Sequence, residues 1–366
     1  MKTISTIICK PTKACNADCS YCSAPPDDNE MWTIEQFKFV FDKVSPYLTN
    51  QAHWIWHGGE PMLLGPDFYK EAFEYTNQTS TILHSMQTNV LLYDSSRWKS
   101  VFKDLFGGRI STSYDTLQKF RTIKGSVESY TRRFFEKVKQ LDEDEIRLFV
   151  IGVYGKNTLE YAHKMYDLSS DRDLPFDIRI NYKYPAGRNI LSDDSISPEE
   201  YGQMLVEVYD RWIKDLPDFT VTPLNQMLSK CVGGNENRCP WTHSCTGRFL
   251  GIEPNGDVYN CSEFADLKRE EFKFGNIFTD SMEDILTSEP FKKLAQRRVN
   301  LPADCMTCPH FTECEGGCMR DSVLFNNSIN NKFHYCRSWK MIFSRMKESI
   351  ASGEAAEAIK KYNLKY

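Results

Sequence analysis

The first two thirds of the chain alternate between short strand-like and longer helix-like segments, and the pattern repeats six times. Such repeats predict a parallel sheet covered by helices, so we expect an α/β fold built on a partial (β/α)6 barrel of the TIM type. The strand-like segments are Ile4–Lys10, Ala52–His57, Thr81–Ser85, Arg109–Ser113, Ile146–Val153 and Phe176–Asn181. The helix-like segments are Thr33–Val44, Asp67–Thr76, Ser95–Phe106, Val127–Leu141, Leu159–Leu168 and Pro198–Ile213.

The alternation stops near Thr222, where cysteine, glycine and asparagine become frequent. Pro254-Asn255-Gly256 lies between two strand-like runs and predicts a hairpin. Short helices follow, and a long C-terminal helix begins near Arg337. We therefore expect a barrel domain at residues 1–225 and a small cysteine-rich α+β domain with a C-terminal helix at residues 226–366.

Composition narrows the class of protein. The formal net charge of −5 gives no electrostatic reason to bind nucleic acid. No apolar stretch is long enough to span a membrane, and the N-terminus lacks the features of a signal peptide. We expect a cytoplasmic protein, in which the 13 cysteines stay reduced and metal binding is favoured over disulfides.

Eleven of these cysteines fall into three groups along the chain. The first is Cys15-x3-Cys19-x2-Cys22, and the others are Cys239, Cys245 and Cys261, then Cys305, Cys308, Cys314, Cys318 and Cys336. Four thiolates close a [4Fe–4S] cluster, so three leave one iron open, and an open position marks a site of chemistry. Structural zinc is the alternative for each group. Cys9 and Cys231 belong to none of these groups, and we expect both to be small buried hydrophobic residues.

Motifs at the predicted carboxyl ends of the strands mark one face of the barrel, where such folds place their reactive residues. The cysteine loop follows the first strand, and His57-Gly58-Gly59-Glu60-Pro61 follows the second. Gln87-Thr88-Asn89 and Ser113-Tyr114-Asp115 follow the third and fourth. Two glycines allow a close backbone approach to a ligand, and Glu60 supplies an acceptor. A plain turn at the glycines and a capping role for Ser113 or Asp115 are the alternatives.

The cysteine loop and the Gly-Gly-Glu-Pro motif together resemble the radical S-adenosylmethionine (SAM) superfamily. That resemblance implies that the open iron binds the methionine part of SAM, which is cleaved to a 5′-deoxyadenosyl radical. It assigns Gly58, Gly59 and Glu60 to the methionine amino group, with Thr88 and Asn89 beside them. It also assigns Ser113 and Asp115 to the ribose and carboxylate region, Tyr21 to the adenine ring, and Arg121 to the cofactor side.

The cysteine-rich tail resembles the seven-cysteine SPASM extension, with Cys239 as an eighth thiolate. The resemblance implies two further [4Fe–4S] clusters, three in all. It assigns Cys239, Cys245, Cys261 and Cys318 to the first auxiliary cluster, and Cys305, Cys308, Cys314 and Cys336 to the second. The crossed pairing of Cys318 follows from the resemblance alone.

Relatives with this extension modify peptides or proteins. Anaerobic sulfatase maturases carry an aspartate base directly after the third cysteine of the first auxiliary cluster, but here Ser262 occupies that position and Glu263 follows. A hydroxyl is a poor base near neutral pH, and in an extended chain Glu263 would point the opposite way. We therefore expect a maturase that installs a carbon–carbon or thioether crosslink in a ribosomally made precursor peptide. Formylglycine formation and peptide epimerisation are the alternative reactions, and an electron carrier or a zinc-binding interaction module are the alternative classes.

The same reading implies particular partners. A flavodoxin- or ferredoxin-type protein would supply electrons. The chain starts at the first barrel strand, so leader recognition is expected from the barrel, the tail or a separate leader-binding protein. Arg179, Asn181, Tyr182 and Arg188 are candidates for lining a substrate cavity.

Overall fold

The sequence folds around one continuous sheet. The computed structural model describes residues 2–22, 30–78, 82–117, 119–170, 176–182, 195–234, 239 and 245–364. Its strands are β1 (Ile4–Cys9), β2 (Leu48–Trp56), β3 (Leu83–Gln87), β4 (Ile110–Ser113), β5 (Leu148–Tyr154), β6 (Phe176–Tyr182), β7 (Val221–Thr222), β8 (Phe249–Ile252), β9 (Asp257–Tyr259) and β10 (Lys273–Asn276).

The helices form an outer layer in the barrel and most of the tail. They are α1 (Ile34–Val44), α2 (Pro66–Asn77), α3 (Ser95–Lys99), α4 (Val127–Glu143), α5 (Tyr161–Ser170), α6 (Pro198–Asp215), α7 (Leu224–Cys231), α8 (Ser262–Asp266), α9 (Met282–Thr287), α10 (Glu289–Ala295), α11 (Ala303–Met306), α12 (Phe311–Cys314), α13 (Met319–Asn326), α14 (Cys336–Ser352) and α15 (Ala356–Lys361). Shorter 3-10 turns include Pro61–Leu64, Glu270–Phe272 and Gln296–Val299.

Sheet order confirms the predicted α/β architecture of a partial parallel barrel followed by a smaller cysteine-rich unit. Within the described residues, ten strands run in the order β10-β9-β8-β1-β2-β3-β4-β5-β6-β7. Neighbouring strands from β1 to β7 are parallel, and β8 also pairs in parallel with β1. The hairpin of β8 and β9 is antiparallel, as the Pro254-Asn255-Gly256 turn predicts. The sheet therefore continues across residue 225, where a domain boundary remains a prediction.

Capping residues determine where the outer helices begin, and apolar side chains pack these helices against the sheet. Helix α1 starts at a capping box formed by Thr33 and Gln36, and α6 starts at one formed by Ser197 and Glu200. Buried tryptophans and tyrosines fill the space between these helices and the sheet, Trp54, Trp56 and Trp212 among them. This aromatic core holds the strands firmly, so the loops at their carboxyl ends have a rigid base.

The C-terminal helix α14 packs against α6 on the outside of the barrel. Ser338 Oγ donates to the carbonyl of Pro198 at 2.5 Å, and Arg345 pairs with Asp210 at 2.7 Å. The tail thus returns to the barrel wall instead of projecting from it. In the described parts of the chain, no helix combines the length and apolar character needed to cross a membrane.

Candidate functional site

The loop after β1 and the loop after β2 are held together through their backbones. Gly59 N donates to Thr12 O at 3.0 Å, and Glu60 N donates to Ala14 O at 2.8 Å. A β-carbon added at Gly58, where φ is +119°, would lie 2.3 Å from Thr12 O. One added at Gly59 would lie 2.2 Å from Ala14 O. The two glycines therefore allow their backbone to pack closely against the backbone of the cysteine loop. Contact of these glycines with a ligand stays a prediction.

Glu60 ties the second loop to the third. Its carboxylate accepts from Thr88 Oγ1 at 2.7 Å, from the backbone N of Asn89 at 2.7 Å and from the backbone N of Met62 at 2.9 Å. Burial raises the pKa of Glu60 to about 7, and the three donors act in the opposite direction. The second and third loops thus meet at one buried carboxylate. A carboxylate has about four lone-pair positions, so the predicted contact with an amino group would use a position that these three donors leave free.

The three N-terminal cysteines share this face of the barrel. Burial raises the pKa of Cys15 to about 12, and Glu60, Cys19 and Cys22 raise it further through their negative charge. Asn89 Nδ2 lies 3.9 Å from Cys15 Sγ and donates to Asn16 Oδ1 at 2.6 Å. The structure therefore brings the cysteine loop and the Thr88-Asn89 loop into contact beside Cys15.

Asp115, Arg121 and Tyr21 form a buried cluster beside Cys19. Arg121 Nε pairs with Asp115 Oδ2 at 3.0 Å, and the Tyr21 hydroxyl donates to the same oxygen. The Arg121 guanidinium lies 5.1 Å from the Tyr21 ring centroid. Asp115 Oδ1 accepts from the backbone N of Val153 at 2.9 Å. One face of the Tyr21 ring is thus covered by Arg121, so the predicted adenine contact would have to use the remainder of the ring.

Ser113 lies apart from that cluster. Its hydroxyl accepts from Gln87 Nε2 at 3.1 Å, and Gln87 Oε1 accepts from Ser111. Ser113 and Asp115 therefore face different neighbours, although the sequence motif groups them. A shared role at one cofactor region stays a prediction.

We expect Asp115→Asn to lower the free energy of unfolding by about 3–5 kcal/mol, because it leaves the buried Arg121 without its anion. Chemical denaturation monitored by circular dichroism measures this. Asp67→Asn is the matched control, since the exposed pair of Asp67 with Lys70 contributes about 0–1 kcal/mol. Equal stability of the two variants would show that the cluster does not stabilise this loop.

A cavity of about 770 Å³ lies between the barrel interior and the cysteine-rich unit. The barrel contributes His57, Gln87, Ser111 and Arg179 to its wall, and the region after residue 225 contributes side chains from α8 and α13. Among the substrate-cavity candidates, Arg179 lines this space. The side chains of Asn181 and Tyr182, and Arg188 altogether, fall outside the described residues. A cavity of this size holds a side chain and part of a peptide.

Four cysteines line this cavity, and they are the set assigned by resemblance to the first auxiliary cluster: Cys239, Cys245, Cys261 and Cys318. Burial is the main cause of the raised pKa of Cys261, and the thiols of Cys239 and Cys318 add to it. Cys239 lies on the same cavity wall, and Cys245 is among the groups that act on it electrostatically. Cys318, which the sequence spacing alone would group with Cys314, thus lies near the other three.

The remaining cysteines, Cys305, Cys308, Cys314 and Cys336, form a second neighbourhood away from the cavity wall. Burial raises the pKa of Cys314 to about 12, and Cys336, Cys305 and Cys308 raise it further. Cys305 is affected in the same way by Cys336 and Cys308. Both auxiliary assignments stay predictions, and this arrangement is compatible with the crossed pairing.

These thiol groups fit iron–sulfur clusters in number and kind. Across the described residues, no three His, Cys, Asp or Glu side chains enclose a space for a single metal ion. A cubane bonds each thiolate to a different iron, so its ligands stand around a larger body than one ion. Cys9 and Cys231 lie outside both neighbourhoods, with Cys9 buried in the core.

Ser262 and Glu263 lie on helix α8, not on an extended strand as the sequence interpretation assumed. Cys261 is the residue that precedes this helix, and consecutive helical residues are separated by about 100° rather than 180°. Both Ser262 and Glu263 line the cavity. The objection that Glu263 points away from the site is therefore wrong. Arg320 Nη2 lies 3.8 Å from Glu263 Oε2, which orients that carboxylate.

A buried ionic group connects the start of the barrel to α8. Lys10, which is fully buried, lies 3.0 Å from Glu253 Oε1 and 2.5 Å from Asp266 Oδ1. Burial and the nearby Lys10 charge lower the pKa of His57 to about 4, so this cavity residue is neutral at pH 7. Lys10 therefore links the strand before the cysteine loop to the helix after Cys261.

Sequence reasoning missed Lys10, Asp266, Arg297 and Arg320. Lys10 and Asp266 are 256 residues apart, and their pairing has no local signal. Arg297 lies in a short turn with no recognisable motif. Proximity of Arg320 to Cys318 in sequence was the one signal available, and it does not distinguish a site residue from an exposed one.

Comparison with known proteins agrees with this geometry. Residues 239–309 match the SPASM family, described as an iron–sulfur cluster-binding domain. A cysteine-type anaerobic sulfatase-maturating enzyme of Clostridium novyi (strain NT) is 25% identical over 364 residues, covering 94% of this chain and 96% of the relative.

Two solved structures share the fold. Native anSMEcpe with bound AdoMet and Cp18Cys peptide has a TM-score of 0.81 and 19% identity, covering 96% of this chain and 99% of that one. Streptococcus suis SuiB bound to its precursor peptide SuiA has a TM-score of 0.64 and 14% identity, covering 91% of this chain and 75% of that one. Residues 239–309 are thus a SPASM iron–sulfur cluster-binding domain, and the whole chain resembles radical SAM enzymes with this extension, anaerobic sulfatase maturases among them.

Proposed function

We propose that this chain is a radical SAM enzyme that oxidises a side chain of a peptide or protein bound in the 770 Å³ cavity. The observation that carries the proposal is the shared wall of that cavity, which places barrel residues opposite Cys239, Cys245, Cys261 and Cys318. The wall includes His57 and Gln87 at the carboxyl ends of β2 and β3, where the loops that carry Glu60 and Asn89 begin. The relatives described as sulfatase maturases and the solved complexes with peptides support a polypeptide substrate.

The N-terminal cysteines would hold a [4Fe–4S] cluster with SAM on its open iron, and when bound this pair supplies a radical able to abstract a hydrogen atom. The Thr88, Asn89 and Glu60 contacts hold the surrounding loops in one arrangement. Asp115 holds Arg121 and Tyr21 in place beside Cys19. Eight further cysteines would hold two auxiliary clusters, giving three in total.

Formylglycine formation is the reaction that these observations favour. A cysteine or serine side chain would lose a β-hydrogen atom, a proton from its thiol or hydroxyl and one electron, which leaves a C=S or C=O double bond. Water then releases hydrogen sulfide from the thioaldehyde in the cysteine case. Glu263 is the carboxylate in the cavity wall that follows Cys261 most closely in the chain, and we assign it the role of proton acceptor.

The test uses enzyme purified without oxygen and supplied with SAM and dithionite. Sulfatase-derived peptides with cysteine, serine or alanine at the reacting position serve as substrates, and a hydrazide reagent captures any aldehyde. We expect 5′-deoxyadenosine and a hydrazone from the cysteine or serine peptide, and no hydrazone from the alanine peptide. Failure to form an aldehyde from both reactive peptides, with 5′-deoxyadenosine still produced, would exclude this reaction.

Crosslinking of a precursor peptide is the second candidate, because Ser262 occupies the position where sulfatase maturases carry their aspartate. In crosslinking, the substrate also loses one hydrogen atom, one proton and one electron. The product is therefore two hydrogens lighter than the precursor and contains no aldehyde. Mass spectrometry of a co-expressed precursor peptide distinguishes the two outcomes. In either case an external flavodoxin- or ferredoxin-type donor supplies electrons, and a separate leader-binding protein would assist a precursor substrate.

A further inference from the structure

Arg297 is buried in the 3-10 turn Gln296–Val299 and is 5% exposed. Its Nη2 donates to Gly316 O at 2.7 Å, and its Nη1 donates to Asn331 O at 3.2 Å. Gly316 lies between Cys314 and Cys318, and Asn331 precedes Cys336 in the chain. The guanidinium is therefore held by backbone carbonyls in the middle of the cysteine-rich unit.

Arg297 lines the cavity together with Cys245 and Cys318, and the ionisable groups that act on it most strongly are thiols. After burial, which lowers its pKa, the strongest influences come from Cys318 and Cys245 and then from Cys305 and Cys314, all of which raise it. The first two belong to the set on the cavity wall, and the other two belong to the second set. Within the described parts of the chain, no carboxylate pairs with this guanidinium at salt-bridge distance.

A buried guanidinium keeps its charge at any ordinary pH, and burial without an anion is strongly unfavourable. Backbone carbonyls satisfy its hydrogen bonds but do not neutralise it. Neutral thiols would leave the charge uncompensated, whereas metal-bound thiolates near it would supply anions. The buried position of Arg297 is therefore explained if the neighbouring thiols bind metal and carry negative charge.

We propose that Arg297 is the shared counter-ion of the two auxiliary clusters and keeps their reduction potentials high enough to accept the electron that the substrate radical gives up. A cluster held by four thiolates is anionic, and its reduction adds a further negative charge. A nearby buried cation stabilises the reduced form more than the oxidised form, which raises the potential. The inference rests on the proposed assignment of eight cysteines to two clusters, and it holds for either candidate reaction.

The backbone contacts of Arg297 give it a second, positioning role. The segment Cys314 to Cys318 is where the chain passes from one thiol set to the other, and the bond to Gly316 O anchors its midpoint. Arg297 thus fixes the short segment that connects Cys314 of the second thiol set to Cys318 of the first. Lysine keeps the charge but cannot make both carbonyl contacts in the same planar geometry, so it separates the two roles.

The experiment compares full-length wild type, Arg297→Gln, Arg297→Lys and the control Arg211→Gln, all reconstituted with iron and sulfide. Arg211 makes ion pairs with Asp167 and Asp215 on the outer surface of the barrel. Iron content and redox titrations followed by electron paramagnetic resonance are the readouts. We expect Arg297→Gln to shift both auxiliary potentials to lower values and leave the N-terminal cluster unchanged, with Arg297→Lys and Arg211→Gln close to wild type.

Auxiliary potentials in iron-replete Arg297→Gln that match wild type would overturn the proposal. If Arg297→Gln loses auxiliary iron, Arg297→Lys decides the question. Retention of iron by the lysine variant supports the counter-ion role, and equal loss in both variants overturns it in favour of a purely structural anchor. A wild-type protein that binds iron at the N-terminal site alone would instead refute the assignment of the two auxiliary clusters.

Discussion

Replacement of Cys15, Cys19 and Cys22 by alanine will abolish the formation of 5′-deoxyadenosine from SAM. An iron–sulfur cluster is bound through thiolates, so the triple variant removes every protein ligand of the N-terminal cluster. The auxiliary cysteines are untouched, and we expect the iron content to fall from about twelve to about eight atoms per chain, at four irons per cluster. Liquid chromatography of the reduced enzyme with SAM measures the first effect, and a colorimetric iron assay measures the second.

Replacement of Cys9 by alanine is the matched control for that variant. Cys9 is buried at the end of β1, six residues before Cys15, and lies among core side chains. Its loss removes a small buried group without removing a ligand, so cleavage of SAM should continue with all iron retained. Persistent 5′-deoxyadenosine formation in the triple variant would contradict the location of the reactive site.

The barrel was predictable because its signals are local. Apolar runs of strand length alternate with capped amphipathic helices, and each unit can be identified without knowledge of its neighbours. The helix expected over Ser95–Phe106 instead changes from α-helix to π-helix at Ser100, and Val101 and Phe102 in this stretch are buried. Strand β7 has only two residues and cannot produce a periodic pattern.

Sequence spacing is most informative where the spacing itself reflects chemistry. The Cys15, Cys19 and Cys22 loop stands out by its thiol spacing alone, and its role as a cluster site stays a prediction. Long-range pairing could not, and the Lys10–Asp266 contact joins residues from opposite parts of the sequence. The helical conformation after Cys261 was also missed, because Ser262–Asp266 is too short to show a helical repeat. That error had the largest consequence, since it excluded Glu263 on the assumption of an extended chain.

Glu263→Gln will lower the yield of oxidised peptide by about 100-fold or more, the usual scale for loss of a general base. The substitution keeps the size of the side chain and removes its ability to accept a proton. Generation of the radical does not depend on Glu263, so 5′-deoxyadenosine should still form. The informative measurement is therefore the ratio of peptide product to 5′-deoxyadenosine, which we expect to fall while total SAM cleavage stays within a few-fold of wild type.

Two further variants decide whether that loss reflects a missing base. Glu271→Gln removes a carboxylate that pairs with Arg269 away from the cavity wall, and it should leave the product ratio unchanged. Ser262→Asp in the Glu263→Gln background places a carboxylate one position earlier on the same cavity-lining helix, and it should restore part of the product. A product ratio in Glu263→Gln equal to that of wild type would mean that another group accepts the proton. Such a result would overturn the assignment of Glu263 as the base, and the hydrazide test for an aldehyde would then decide between formylglycine formation and crosslinking.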